Sequence, residues 1–209
     1  MMENCIICNS NLKKINNYVF KCKLCLFYKS ILKPGFGRDI EGITDLRRNN
    51  FKKIIKILLN QNLNNKFKIL EIGSGNGFFI EECINKNLDI TGSEADDDQF
   101  NKLKNKFSKI KKLSLPLTEN LNNFEKYDYI VFNDVFEHLN DLGLVISHIK
   151  KLLNKNGKVA INIPSSNGFI FRISELLFKI GFKNFYDRVW QKDLASLHMS
   201  YFNGYNLKK

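Results

Sequence analysis

From Phe67 to about Asn167 the chain alternates short apolar runs with stretches of helical periodicity, and no other feature narrows its fold as far. The runs are Phe67–Ile72, Leu88–Gly92, Ile110–Leu115, Tyr127–Phe132 and Lys158–Ile163; helical spacing fills the segments near Gly77–Asn87, Asp96–Phe107 and Asp141–Leu153. Short apolar strands joined through helices pair in parallel, with helices on both faces, so the expected fold class is α/β with a doubly wound, mostly parallel sheet. Ligands in such sheets sit beyond the carboxyl ends of the strands. The residues that follow each run are therefore the ones to read for chemistry.

The first run leads into Glu71-Ile72-Gly73-Ser74-Gly75-Asn76-Gly77-Phe78. Glycines at alternate positions let the backbone approach a ligand and present amides at a helix start. The spacing departs from Gly-x-Gly-x-x-Gly, because the third glycine comes one residue early and an acid stands two before the first. This segment resembles the first motif of class I S-adenosylmethionine-dependent methyltransferases. The resemblance implies a Rossmann-like methyltransferase sheet, with Gly73, Ser74, Gly75 and Gly77 wrapping the methionine part of the cofactor and Glu71 orienting the loop. Glu94, ending the second run 23 residues beyond Glu71, matches the family's cofactor-ribose acid, and Asp96–Asp98 read as helix-start residues.

Tyr127-Asp-Tyr-Ile-Val-Phe-Asn133-Asp134-Val-Phe-Glu137-His138-Leu139 resembles the family's fourth strand and loop. Asn133 and Asp134 are implied to face cofactor and substrate. Three readings of Glu137 and His138 stand side by side: ligands, with Asp134, of a divalent cation as in coenzyme-Q-type O-methyltransferases; a substrate-side histidine as in sugar methyltransferases; or a helix cap. The fifth run follows Asn156-Gly157, an expected helix stop. Further on, His198-Met-Ser-Tyr201-Phe-Asn resembles a stretch in which His198 and Tyr201 would line the acceptor pocket. His138, then His198, are the candidate bases.

Cys5-x-x-Cys8 and Cys22-x-x-Cys25 stand thirteen residues apart, the spacing of a tetrathiolate zinc site, with disulfides or redox chemistry as the alternative. About 30 residues cannot bury enough apolar surface to fold alone, so a staple is expected. Cys83 reads as an inert core residue. The expected division is a zinc-ribbon segment at 1–33, a linker and helix at 34–65 with a loop at Pro34–Gly37, and a methyltransferase domain at 66–209. Ribbon plus core is similar to sugar C-methyltransferases and related glycan and secondary-metabolite enzymes. The resembled proteins continue where this sequence stops, so two last strands are expected to be missing and the open edge to need cover by a partner such as a second copy in a homodimer, by a swapped segment or by the residues after Gly168.

The formal net charge is +12, from 33 basic and 21 acidic residues. Twenty-eight of the basic residues are Lys and five Arg, whereas phosphate recognition favours guanidinium. Residues 1–65 carry +8 and 66–209 only +4, so nucleic acid is a weak expectation. No apolar run reaches the roughly 18 residues of a membrane span and no secretory start is present, which makes a cytoplasmic protein the expectation. The function implied is S-adenosylmethionine-dependent methylation of a small metabolite such as a sugar nucleotide or glycan precursor. RNA or protein methylation through the basic ribbon, and a non-catalytic binding module, are the alternatives.

Overall fold

The computed structural model describes residues 4–33, 44–62, 66–116 and 125–208. In chain order the elements are β1 (Leu12–Lys14), β2 (Val19–Cys22), β3 (Tyr28–Ser30), α1 (Thr44–Asn60), β4 (Lys68–Ile72), α2 (Phe78–Ile84), β5 (Asp89–Glu94) and α3 (Asp97–Lys106). There follow β6 (Ile110–Lys112), β7 (Tyr127–Asn133), α4 (Leu142–Leu152), β8 (Leu153–Asn162), α5 (Phe169–Lys179), α6 (Lys183–Val189) and β9 (Ser200–Tyr201). The expected loop at Pro34–Gly37 lies outside the described residues. No helix among the described residues is long and apolar enough to cross a membrane.

Two compact units are formed, and they cut across the division at 33/34 and 65/66. One comprises Met1–Ile40, Glu137–Leu142 and Ile163–Lys209; the other comprises Glu41–Phe136 and Gly143–Asn162.

The second unit is the five-stranded parallel sheet that the alternation predicts, in the order β6-β5-β4-β7-β8. The glycine-bearing run β4 lies at the centre, where Ile69 and Leu70 are fully buried. Helix α1 buries Phe51, Ile55 and Leu58, spaced so that one helical face meets the core. It is tied to α2 by Arg48, whose two terminal nitrogens reach Glu81 (2.5 Å) and Glu82 (3.1 Å) and whose guanidinium lies over the Phe78 ring. At the edge, β8 corrects the expected helix stop. Helix α4 ends at Leu152, and Asn156-Gly157 lies in a register irregularity, with Leu153 opposite Tyr127 and Lys158 opposite Tyr129. A Cβ on Gly157 would stand 3.0 Å from the Tyr127 carbonyl oxygen, so glycine here permits close strand approach.

The first unit holds the antiparallel sheet β1-β2-β3-β9. Its last strand comes from the far end of the chain, pairing Tyr28 with Tyr201 and Lys29 with Ser200. Behind it Val19, Tyr28, Phe171, Tyr186, Trp190 and Tyr201 form an aromatic core. The cysteine-bearing segment thus gains an apolar core from residues 171–201, which supplies the burial that its own length cannot.

Candidate functional site

At the carboxyl end of β4 the chain turns through Gly73 (φ 70°), Gly75 (φ 50°) and Gly77 (φ 77°) into α2. These are left-handed conformations that side chains resist. A Cβ on Gly73 would also lie 2.7 Å from Val135 Cγ2, and one on Gly77 2.5 Å from the Phe107 ring. At Gly75 nothing stands within 4 Å, because the loop there borders a cavity of ≈ 170 Å³. Glu71, Gly73, Ser74, Gly75, Asn133 and Asp134 all line that cavity. Gly77 does not line it and instead starts the helix.

Glu71 is 2% exposed. Its Oε1 accepts from Asn133 Nδ2 at 2.9 Å, whereas Oε2 is buried without a hydrogen-bond partner. Burial pushes its pKa up to about 8, opposed in part by Asn133 and Ser74 and reinforced by the charge of Glu94. Glu94 ends β5 and steadies the loop: its Oε2 accepts from the Gly75 amide (2.9 Å) and its Oε1 from Ala95 (2.8 Å) and Asp96 (3.3 Å). Asp96 caps α3 by accepting from the Gln99 amide at 2.9 Å. Asp134, at φ 53°, donates its amide to the Asn162 carbonyl and pairs with Arg47 at 3.5 Å.

Arg47, on α1, is the cavity residue that sequence reasoning missed. A signal existed: it is one of five arginines among 33 basic residues, and its neighbour Arg48 is equally specific in its contacts. The cavity therefore sets a buried acid with one unmatched oxygen and a guanidinium beside a turn of backbone amides. That combination suits a small zwitterion, its cation toward Glu71 and its anion toward Arg47.

The four cysteines converge in the first unit, with one sulfur from each within 4.8 Å of the rest. Cys5 and Cys25 sulfurs are 3.5 Å apart and those of Cys8 and Cys22 are 3.4 Å apart, near the ~3.8 Å separation that ~2.3 Å zinc–sulfur bonds impose in a tetrahedron. No disulfide joins any of them. The two knuckles share one backbone pattern: Asn9 donates to Cys5 O and Leu26 to Cys22 O, while Cys5 donates to Ser10 O and Cys22 to Phe27 O. Asn9 and Leu26 both adopt positive φ, which turns the chain back toward the sulfurs. Asn203 and Asn206 side chains donate to the Cys25 carbonyl, so the chain's far end braces the cluster. Cys83 is buried in α2, and burial raises its pKa, as suits an inert core thiol.

Also in the first unit, Glu137, His138 and His198 each place one donor atom within 4.8 Å of the others. Asp134, expected beside Glu137 and His138, is not in this group. The imidazole rings stand 4.9 Å apart, His198 is buried, and burial followed by the neighbouring His138 lowers its pKa to about 3. His198 Nδ1 lies 2.7 Å from Tyr201 Oη, which in turn lies 2.8 Å from the Val189 carbonyl oxygen. Further along this unit a cavity of ≈ 690 Å³ is lined by Phe169, Ile170, Phe171, Phe185, Arg188 and Tyr201 among others.

A family model described as a methyltransferase domain matches residues 44–209. Among curated proteins, a ubiquinone biosynthesis O-methyltransferase of Pelagibacter ubique (strain HTCC1062) is 30% identical over 115 residues, covering 53% of this chain and 47% of that protein. The chain thus spans about half the length of this curated relative. Solved structures with fold likeness include the sugar N-methyltransferase KedS8 from Streptoalloteichus sp ATCC 53650 (12% identity, 66% of this chain and 60% of that one, TM-score 0.49). Another is a methyltransferase from Clostridium acetobutylicum ATCC 824 (18% identity, 61% and 54%, TM-score 0.48). The match across residues 44–209, with the parallel sheet and its glycine turn inside it, means that the chain belongs to the methyltransferase-domain family.

Proposed function

We propose that this protein binds S-adenosylmethionine in the cavity at the end of β4 and transfers its methyl group to a small metabolite. The observation that carries the reading is Glu71 Oε2, a buried oxygen without a partner at a cavity that also holds Arg47. The cofactor's methionine end has the ammonium and carboxylate that these two residues would take. When bound, the cofactor supplies an electrophilic methyl on sulfonium. The chain's part is to hold it: Glu71 and Asn133 fix the ammonium side, Arg47 the carboxylate, and Glu94 the ribose hydroxyls, while the Gly73–Gly77 turn shapes the cavity wall. Positioning accounts for most of the rate in such a transfer.

On the acceptor side we assign His138, His198 and Tyr201. His138 is the candidate base: its Nδ1 donates to the Leu197 carbonyl (2.8 Å), which leaves the lone pair on Nε2, and it is half-buried where His198 is buried. The four cysteines hold Zn²⁺ as a structural staple. Motif order and the ribbon favour a sugar nucleotide or glycan precursor as acceptor. The curated relative and the apolar cavity favour a second reading, O-methylation of a phenolic acceptor. Calorimetric titration with S-adenosylmethionine tests the first step, and heat is expected. Label transfer from methyl-labelled cofactor to sugar nucleotides or to catechols then separates the acceptors. No heat at high protein concentration defeats the reading.

A further inference from the structure

We propose that the outer face of α5, continued through Phe182 and Phe185, docks on an anionic lipid surface with its apolar side chains inserted below the headgroups. The inference stands on one compact unit and does not depend on methyl transfer.

Helix α5 is apolar on two sides. Phe171, Ser174 and Phe178 recur at helical spacing and turn inward, where Phe171 and Phe178 pack with Tyr186 behind the antiparallel sheet. Phe169, Ile173, Leu176 and Ile180 recur at the same spacing about half a turn away. Three of these four face solvent: Phe169 is 78% exposed, Leu176 59% and Ile180 62%. Ile170, Phe182 and Phe185 are exposed as well and extend the surface toward α6. Contiguous apolar surface of this extent marks an interaction site.

Charge selects the partner. Between Phe169 and Val189 the cations are Arg172, Lys179, Lys183 and Arg188, all of them exposed. The two acids of the stretch are engaged elsewhere. Glu175 accepts from Tyr28 Oη (2.5 Å) and Lys21 Nζ (3.4 Å), and Asp187 accepts from Tyr18 Oη and Lys192 Nζ. The outer side is therefore apolar and cationic together. Arg172 and Lys179 flank the apolar row, a position from which long stems reach headgroup phosphates while Phe, Leu and Ile go deeper.

Other occupants fit less well. A second copy would set these four cations against another four, and like charges face to face oppose association. A protein partner needs a fitted surface, whereas a bilayer interface receives an exposed row without one. Helix α5 has 11 residues and is about 16 Å long, far short of a ~30 Å hydrocarbon core, so it lies along the interface and not across it. Phe169, Ile170 and Phe185 also wall the cavity of ≈ 690 Å³, so the docked face opens into an apolar space.

The zinc-loaded full chain would be floated with vesicles of phosphatidylcholine alone, and of phosphatidylcholine with phosphatidylglycerol in equal parts. Flotation is expected with the second set and should weaken as salt rises. A net charge of +12 attracts anionic vesicles by itself, so the deciding variant is apolar. Leu176→Gln with Ile180→Gln should lower vesicle affinity about tenfold or more while far-UV circular dichroism and the melting temperature hold. Lys179→Gln with Lys183→Gln should weaken binding and reduce its salt dependence. If the apolar variant misfolds, Phe182→Gln, outside both helices, carries the test. No flotation of the wild-type chain, or undiminished flotation of the folded apolar variant, overturns the proposal. So does a dimer in sedimentation equilibrium that the apolar variant abolishes, because a second copy then occupies the face.

Discussion

Asn133 Nδ2 donates to Glu71 Oε1 at 2.9 Å, joining the two central strands β7 and β4 where both end at the cavity. The bond satisfies only half of a buried carboxylate. Glu71 is therefore costly to ionise and well placed to meet a cation, and the first prediction follows from that tension.

Glu71 carries a pKa of about 8 in the folded chain against an ordinary value of 4.5. Its protonated form is favoured by folding, so its contribution to stability is full below pH 4.5 and is lost as pH rises to about 8, at ~1.4 kcal/mol per pH unit. Urea unfolding at pH 5, 6, 7 and 8 should show wild-type stability falling relative to Glu71→Gln. Parallel curves would refute the assignment. The same variant should bind S-adenosylmethionine at least tenfold more weakly.

Gly73→Ala combines a φ of 70° with a Cβ 2.7 Å from Val135 Cγ2, and should cost about 2–4 kcal/mol in denaturant unfolding. Adding Val135→Ala removes the clash but not the backbone strain. The double variant should recover part of the loss, leaving at least ~1 kcal/mol. Full recovery would show that the left-handed turn carries no penalty.

Arg47→Ala should raise the cofactor Kd about tenfold or more with little change in melting temperature, because its pair with Asp134 is substantially exposed and such pairs contribute about 0–1 kcal/mol. Arg48→Ala should do the reverse, lowering stability through its lost contacts to Glu81, Glu82 and Phe78 while cofactor affinity holds. Calorimetry and thermal melts on the two variants separate the roles.

Chelation of the cysteine site, or Cys22→Ser, should release one Zn²⁺ and destabilise the unit containing β9. The loss should register in the environment of Trp190, which shares the aromatic core with Val19 and Tyr28. Tryptophan fluorescence that is unchanged on metal removal would mean the cluster braces nothing.

The linear order of the chain determined the parallel sheet, the glycine turn and the acids at the strand ends, because these depend on local periodicity and on backbone conformations that few residues adopt. The Cys-x-x-Cys spacings likewise determined two knuckles, since each is closed by hydrogen bonds within six residues. Tertiary structure decided what lies together across sequence distance. It put Arg47 at a cavity with Gly73, paired Tyr201 with Tyr28, and set His198 rather than Asp134 beside Glu137 and His138. It also moved the end of α4, because pairing of Leu153 with Tyr127 overrode the stop signal of Asn156-Gly157. In each case the deciding term is a contact between residues far apart in the chain, whose strength depends on packing and burial that no local pattern encodes.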